Sequence, residues 1–358
     1  MAMQRVLVLE AQVPFVHGGA EILVRQLVGA LKERGFEAEI VSIPFRDDPR
    51  DQLMAHAAAW RLIDLTTSQG RPVDAVIATK FPTYLVKHPA KVTWLVHQHR
   101  AAYELCGTPY SNFDHTVTDV GLRDRLVTLD TDALQECVGL FSIAKTVSAR
   151  LEKYNGVSAE AVYHPPKLAS RLRSGQAGDY LLTVTRLEHV KRVDLAIQAF
   201  AKVDPPTRLV IAGDGSARLD LDALVKRLGL TGRVTLTGRI SDEELIDLYA
   251  GSMGLLFTPY DEDYGYVTLE SFLSHKPVIT ASDSGGTLEF VIDGTNGYVA
   301  APDPDALADV INRLASDRRR AAAMGDAGFD LARGITWDGV VEKLVGAAMG
   351  RQAADNRG

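Results

Sequence analysis

The 358-residue chain has little cysteine, and it lacks any long hydrophobic run. Cys106 and Cys137 are too few for a disulfide framework or a zinc cluster, so a reducing environment is expected. No apolar run approaches the roughly 20 residues needed to span a bilayer, and the first ten residues lack the regions of a signal peptide. These absences predict a cytoplasmic protein. They leave open a peripheral location at the inner membrane surface.

The chain also has a deficit of positive charge. The 39 basic residues are outnumbered by 46 acidic ones, which gives a net charge of −7. This balance argues against nucleic acid as a partner. A hydrophobic content of 46% and a charged content of 24% are those of a globular enzyme. Because 358 residues exceed one ordinary hydrophobic core, the chain is predicted to form two domains. The composition leaves the oligomeric state open.

Strand-like and helix-like segments alternate along both halves of the chain, which predicts parallel α/β sheets. Strands are predicted in the first half at 6–9, 38–43, 73–78 and 92–96, and in the second half at 180–185, 208–212, 234–236, 254–257 and 278–281. Between the halves lies His164-Pro165-Pro166, followed by a polar, aperiodic stretch at 167–178. The predicted fold is two Rossmann-like, doubly wound domains, 1–165 and 166–336, with a cleft between them.

The most informative segment runs from Tyr260 to Phe272 and carries two carboxylates eight positions apart. Glu262 is predicted to follow a buried strand, and Glu270 to lie about one turn inside the next helix. Amides at the start of that helix favour a phosphate, whereas ionised carboxylates accept hydrogen bonds from sugar hydroxyls. The pattern therefore predicts a nucleotide-sugar site. The amides belong to Gly265, Tyr266, Val267 and Thr268.

Two further segments favour the same ligand. Arg186 and Lys191 follow the strand at 180–185, where two cations can neutralise a diphosphate. The alternative for them is a solvated basic loop. Gly18 and Gly19 precede the first long helix and would let the backbone approach an anion closely. The alternative there is a tight loop without a ligand.

Glu262 to Glu270 resembles the E-x7-E motif of the retaining, family 4-like glycosyltransferases of the GT-B fold. Arg186 to Lys191 is similar to the R-x4-K phosphate clamp of that family, and Gly18-Gly19-Ala20-Glu21 to its G-G-x-E turn. The resemblance implies that Arg186 and Lys191 hold the diphosphate and that Glu270 binds the ribose. It also implies that Glu262 binds the transferred sugar, and that the C-terminal helix, at about 337–358, packs on the first domain.

The resemblance suggests further contacts. A histidine after the strand at 92–96 would contact the transferred sugar, which points to His97 with His99 as its rival. Gly213, Arg239 and Ile240 would lie near the nucleotide, although the turn at Gly213 is equally typical of a structural turn. His99, together with Arg100 and Tyr103 just beyond it, would meet the acceptor. Asp261-Glu262-Asp263 superficially reads as a D-x-D metal motif, but that motif belongs to a fold without a second Rossmann half. No cofactor and no obligatory metal are expected.

The sequence thus predicts a retaining glycosyltransferase that moves a sugar from a nucleotide-diphosphate donor to a hydroxyl acceptor. Glycans, lipid-linked saccharides and small molecules all qualify as the acceptor, and polysaccharide biosynthesis is a natural setting. One alternative is a nucleotide-sugar epimerase or a phosphorylase on the same fold. Another is a non-catalytic protein that binds nucleotide sugars. A dinucleotide-dependent oxidoreductase is disfavoured, because no G-x-G-x-x-G follows the first strand. The base, the sugar, the acceptor and the linkage are left open.

Overall fold

The computed structural model describes residues 4–15 and 18–355, with side chains up to residue 350. The chain forms two compact units. The first comprises residues 1–167 and 336–358, and the second comprises residues 168–335. Each unit is built on its own six-stranded sheet.

The sheet of the first unit is entirely parallel, with the strand order β2-β1-β3-β4-β5-β6. Its strands are β1 (Arg5–Gln12), β2 (Glu37–Pro44), β3 (Ala75–Lys80), β4 (Lys91–His97), β5 (Gly139–Ser142) and β6 (Glu160–Ala161). Strands β3 and β4 are buried along almost their whole length, as expected for a sheet covered on both faces. A separate two-stranded hairpin pairs Thr67–Ser68 with Arg71–Pro72.

The sheet of the second unit repeats this plan, with the strand order β9-β8-β7-β10-β11-β12 and only parallel pairs. Its strands are β7 (Tyr180–Val184), β8 (Arg208–Ala212), β9 (Val234–Gly238), β10 (Gly254–Leu256), β11 (Val278–Ala281) and β12 (Gly297–Ala300). The direction of winding reverses between β7 and β10, which are hydrogen-bonded neighbours. Loops at the carboxyl ends of two such strands form the usual ligand crevice of an open α/β sheet.

Helices connect the strands. Those of the first unit are α1 (Gly19–Glu33), α2 (Gln52–Leu62), α3 (Val117–Gln135), α4 (Lys145–Asn155) and α11 (Trp337–Asp355). Those of the second are α5 (Val193–Phe200), α6 (Arg218–Arg227), α7 (Asp242–Gly251), α8 (Tyr266–Leu273), α9 (Pro304–Ser316) and α10 (Arg318–Ala332). Short 3-10 turns lie at Thr83–Leu85, Arg100–Ala102, His189–Lys191 and Gly286–Glu289.

The predicted fold class is confirmed: both units are parallel α/β sheets wound by crossover helices. Helix α7 begins with a capping box, in which the Ser241 N–H donates to Glu244 Oε2 at 2.8 Å and the Glu244 N–H donates to Ser241 Oγ at 3.3 Å. The C-terminal helix α11 lies in the first unit. Positions 356–358 of its predicted range lie outside the described residues.

Candidate functional site

The winding reversal in the second unit brings the two predicted motifs together. The loop after β7 carries Arg186 and Lys191, and the loop after β10 carries Glu262. Because β7 and β10 are paired neighbours, both loops leave the sheet at the same edge. The Tyr260 N–H donates to the Val190 carbonyl at 2.8 Å, which joins the two loops through the backbone.

Arg192 fastens these loops to a third one, which follows β11. Its guanidinium donates to the carbonyls of Thr258 and Pro259 at 2.9 and 2.8 Å and forms a bidentate ion pair with Asp283. Arg192 has a left-handed backbone conformation, with φ 47°. An arginine fork held by four acceptors fixes its loop far better than a lysine would. It is a structural member of the site.

Lys191 and Glu262 form a direct ion pair at this edge. Their side chains are only 14% and 16% exposed, so solvent screens the pair weakly. Arg186 lies in the same loop but pairs with Glu188 at 2.7 Å and remains about half exposed. Of the two predicted cations, the structure therefore brings Lys191, and not Arg186, into contact with a predicted carboxylate.

The loop after β11 contacts the backbone of Glu262 directly. The Gly286 N–H donates to the Glu262 carbonyl at 2.7 Å, and the Glu262 N–H donates to the Ser284 carbonyl at 3.3 Å. A Cβ on Gly285, whose φ is 61°, would lie 2.5 Å from the Glu262 carbonyl oxygen. Only glycine tolerates both the dihedral angle and the close backbone approach. Hydrogen bonds and close packing with the loop after β11 thus hold the backbone of Glu262 in place.

The start of α8 lies next to Glu262. Gly265 precedes the helix with φ 78°, and Tyr266 and Val267 open its first turn. The buried hydroxyls of Thr268 and Thr287 flank Gly265, within 3.4 and 2.8 Å of where its Cβ would stand. Neither hydroxyl has a protein partner among the described residues. A helix start of this kind favours an anion.

Glu270 occupies the fifth position of α8 and is held by a tyrosine that the sequence did not single out. The buried Tyr249, on α7, donates its hydroxyl to Glu270 Oε2 at 2.8 Å. Burial and the charge of Glu270 raise the pKa of Tyr249 well above its ordinary value, so the phenol stays protonated and remains the donor. No sequence signal distinguishes Tyr249 from an ordinary apolar position of a packed helix.

The predicted nucleotide loops meet at the carboxyl ends of β8 and β9. The Gly213 N–H donates to the Gly238 carbonyl at 2.9 Å, and a Cβ on Gly213 would lie 1.8 Å from the Thr185 carbonyl oxygen. Gly213 is therefore required by backbone packing. Beyond Gly238, the side chain of Arg239 is exposed and that of Ile240 is partly buried.

In the first unit, the Gly18-Gly19 turn is anchored by Glu21. The Gly18 N–H donates to one Glu21 oxygen at 2.9 Å, and Lys80, at the carboxyl end of β3, donates to the other at 2.7 Å. Burial tends to raise the pKa of Glu21, but the ion pair with Lys80 and the Gly18 amide outweigh it and lower that pKa. Lys80 was not predicted, although a charged residue that ends an apolar strand was a visible signal.

The two candidate histidines differ in surroundings. His97 ends β4 and is partly buried, with its Nδ1 2.6 Å from the Gln98 carbonyl. His99 is buried between the rings of Phe45, Phe81 and Phe113. Burial lowers the pKa of His99 to about 4, so its ring is neutral at physiological pH. His99 is thus a core side chain.

The predicted acceptor residues Arg100 and Tyr103 also differ in burial and in hydrogen-bond partners. Arg100 forms an ion pair with Glu104 at 2.5 Å, and the buried Arg150 approaches the same carboxylate at 3.3 Å. Tyr103 is buried and donates to Asp130 at 2.6 Å. Burial raises the pKa of Asp130 to about 7. Tyr103 therefore belongs to a buried polar network, whereas Arg100 lies nearer the surface.

Two other features bear on the predicted partners. Residues 4–15 and 18–350 contain no cluster of three or more His, Cys, Asp and Glu side chains arranged to hold a metal ion. Within the described part of the chain, no helix is both long and apolar enough to cross a lipid bilayer.

Known proteins resemble this chain in both sequence and fold. Residues 168–330, nearly the whole second unit, match the family described as glycosyl transferases group 1. An uncharacterised glycosyltransferase of Methanocaldococcus jannaschii is 25% identical over 370 residues, which covers 93% of this chain and 94% of that protein. The alpha-D-kanosaminyltransferase of Streptomyces kanamyceticus is 37% identical, over 38% of this chain and 36% of its own length.

The fold is that of the GT-B glycosyltransferases. A solved Anabaena protein, in complex with UDP and glucose, superposes with a TM-score of 0.68 over 98% of each chain at 16% identity. At that identity the likeness concerns the fold alone.

Proposed function

We propose that this protein is a retaining glycosyltransferase, similar to family 4, that transfers a sugar from a nucleotide diphosphate to a hydroxyl acceptor. The observation that carries the proposal is the ion pair between Lys191 and Glu262 at the winding reversal of the second sheet. It lies in the segment that matches the glycosyl transferases group 1. In a nucleotide sugar the sugar is bonded directly to a phosphate, so a cation and a carboxylate in contact suit that junction.

The donor roles are assigned on the family resemblance, and the surroundings of each side chain support them. Lys191, with the half-exposed Arg186, would bind the diphosphate and stabilise the charge that develops as it leaves. Amides from Gly265 to Thr268 would add hydrogen bonds to phosphate, and Glu270 would bind the ribose hydroxyls. Gly213, Arg239 and Ile240 would border the nucleotide.

The acceptor side is assigned on the family resemblance. His97 would contact the transferred sugar, and Arg100 the acceptor. Gly18 and Gly19 would approach the donor through their backbone. His99 and Tyr103 would support these groups from the core, since both are buried.

The proposed chemistry is a front-face displacement. The acceptor hydroxyl attacks the anomeric carbon on the face from which the diphosphate departs, and a departing phosphate oxygen takes the hydroxyl proton. No side-chain nucleophile is needed, and Glu262, already paired with Lys191, would hold sugar hydroxyls. We propose that no metal is obligatory, because Lys191 and Arg186 supply the positive charge.

The test measures nucleoside diphosphate released from a panel of nucleotide sugars, with and without hydroxyl acceptors. Release that requires an acceptor supports transfer. Release in its absence indicates hydrolysis of the donor. Conversion of the nucleotide sugar into an epimer, with no net release, indicates the epimerase alternative, and release that requires inorganic phosphate indicates the phosphorylase alternative. The anomeric configuration of the product, read by NMR, tests retention of stereochemistry. Undiminished turnover in EDTA tests the independence from metal.

Lys191→Ala is the decisive variant. We expect turnover to fall at least a hundredfold with the fold intact, because the developing charge loses its main cation. Lys202→Ala is the matched control: Lys202 lies in the same unit and pairs with a carboxylate, Asp305, but is about half exposed. Equal turnover in the two variants would contradict the role of Lys191.

A further inference from the structure

We propose that Tyr249 is a positioning residue of the donor site: its hydroxyl orients the Glu270 carboxylate toward the ribose. The inference rests on the proposed function, because it assumes that Glu270 binds the ribose of a nucleoside diphosphate. It adds a residue that neither the sequence motifs nor the match to known glycosyltransferases assigned.

The geometry is that of a buried, directed contact. Tyr249 has no exposed surface, and its hydroxyl lies 2.8 Å from Glu270 Oε2. The two residues are 21 positions apart, on α7 and α8, so the bond is tertiary. A buried phenol requires a hydrogen-bond partner, and this one is charged, which makes the bond stronger than a neutral one.

A flexible carboxylate benefits from such a bond. A glutamate side chain loses much of its rotamer freedom when a ligand orders it. Tyr249 orders Glu270 before the donor arrives and occupies only one of roughly four acceptor positions of the carboxylate. A carboxylate fixed in advance binds these hydroxyls more tightly than a mobile one.

Helix α7 supplies a matched control. Tyr180 also donates its hydroxyl to this helix, to the Leu248 carbonyl at 2.7 Å. Leu248 is next to Tyr249 in sequence, yet the Tyr180 hydroxyl bonds a backbone carbonyl and not the Glu270 carboxylate. Tyr180→Phe therefore removes a hydroxyl that holds α7 and leaves the bond to Glu270 intact. Any general effect of loosening the helix is common to both variants.

The experiment compares binding of UDP, GDP and ADP with binding of their 2′-deoxy forms, by calorimetry on the full-length protein. The wild type should bind at least one ribonucleotide about tenfold more tightly than its deoxy form, since the 2′-hydroxyl bonds a charged acceptor. Tyr249→Phe should weaken binding of that ribonucleotide about tenfold and weaken binding of the deoxy form, which retains only the 3′-hydroxyl, by much less. The ratio of the two dissociation constants, that of the deoxy form over that of the ribonucleotide, then falls toward one.

A double-mutant cycle separates positioning from packing. In a Glu270→Ala background, Tyr249→Phe should have no further effect on the ratio. A ratio in Tyr249→Phe equal to that in Tyr180→Phe would overturn the inference while leaving the proposed function standing. If the wild type binds ribonucleotides without preference over deoxy forms, the ribose role of Glu270 fails, and the inference with it. If it binds no nucleoside diphosphate, the proposed function itself is contradicted.

Discussion

At the scale of single residues, Gly265 shows how one missing side chain shapes the proposed phosphate site. A Cβ there would stand 2.8 Å from the Thr287 hydroxyl, in addition to the strain of φ 78°. Gly229 has a similar φ of 68° but open space around it. We expect Gly229→Ala to lower the free energy of unfolding by about 1 kcal/mol. Gly265→Ala should lower it by more and also weaken nucleoside diphosphate binding.

Urea unfolding and calorimetry on both variants check this expectation. Because the two glycines share the strained dihedral angle, the difference between the two losses of stability reports the crowding around Gly265, where Thr287 is the nearest neighbour. Equal losses of stability and unchanged binding in Gly265→Ala would mean that the start of α8 tolerates a side chain, contrary to its proposed role.

His99 provides a pH-dependent prediction. Folding lowers its pKa from 6.5 to about 4, so the unfolded chain takes up the proton first as the pH falls. The stability that this neutral ring contributes is present above about pH 6.5 and is lost toward pH 4. The loss is on the order of 3 kcal/mol. In His99→Phe, which keeps an aromatic ring among Phe45, Phe81 and Phe113, this part of the pH dependence should disappear.

The measurement is urea unfolding at pH values from 7 to 4, followed by tryptophan fluorescence. Trp60, Trp94 and Trp337 all belong to the first unit, so the signal reports that unit alone. His115→Gln, at an exposed histidine, is the control and should retain the wild-type slope. A wild-type slope in His99→Phe would show that His99 is not held neutral.

At the scale of elements, α11 lies far from the rest of the first unit in sequence yet packs into it. Its residues Val340, Val341 and Leu344 are buried, and the Trp337 ring stacks on His164 at 5.9 Å. Leu344→Ala should lower the free energy of unfolding of this unit by about 2–5 kcal/mol, because it leaves a cavity.

The control for Leu344→Ala is Glu342→Ala, at an exposed position on the same helix. It should change the free energy of unfolding by less than about 0.5 kcal/mol. Tryptophan fluorescence again reports the unit concerned. Similar small effects in both variants would mean that α11 adds little to the first unit.

Elements with a clear apolar pattern were predictable from the sequence, and others were not. Strand β11 was predicted at 278–281, where the structure has it, because its sequence, Val-Ile-Thr-Ala, is mostly apolar and β-branched, as is typical of a buried strand. Helix α3 was missed. Only a few of its 19 positions are buried, and two of those, Asp119 and Asp130, are charged, so its apolar periodicity is weak. Strand β12 was not predicted either; it begins with Gly297, and glycine weakens a strand pattern.

The candidate site likewise contains residues that the sequence predicts and contacts that it does not predict. Lys191 and Glu262 were predictable because each follows a buried strand, and parallel strands direct their carboxyl ends to one edge. Their direct contact was not, since it depends on which two strands are neighbours in the sheet. The Tyr249 bond to Glu270 and the Lys80 bond to Glu21 join distant positions of the sequence. Such pairings follow from tertiary packing, which periodicity does not report.

At the scale of the whole molecule, ligand binding to one unit must be read by a probe that reports that unit. A nucleoside diphosphate present at 100 times its dissociation constant should stabilise the second unit by about 2.7 kcal/mol. That unit has no tryptophan, so fluorescence of the three tryptophans does not follow its unfolding. Differential scanning calorimetry does, because it detects the heat of every unit. We expect an endotherm to move upward with UDP, GDP or ADP, and Lys191→Ala to abolish the shift. A shift that persists in Lys191→Ala would place the diphosphate away from the pair of Lys191 and Glu262.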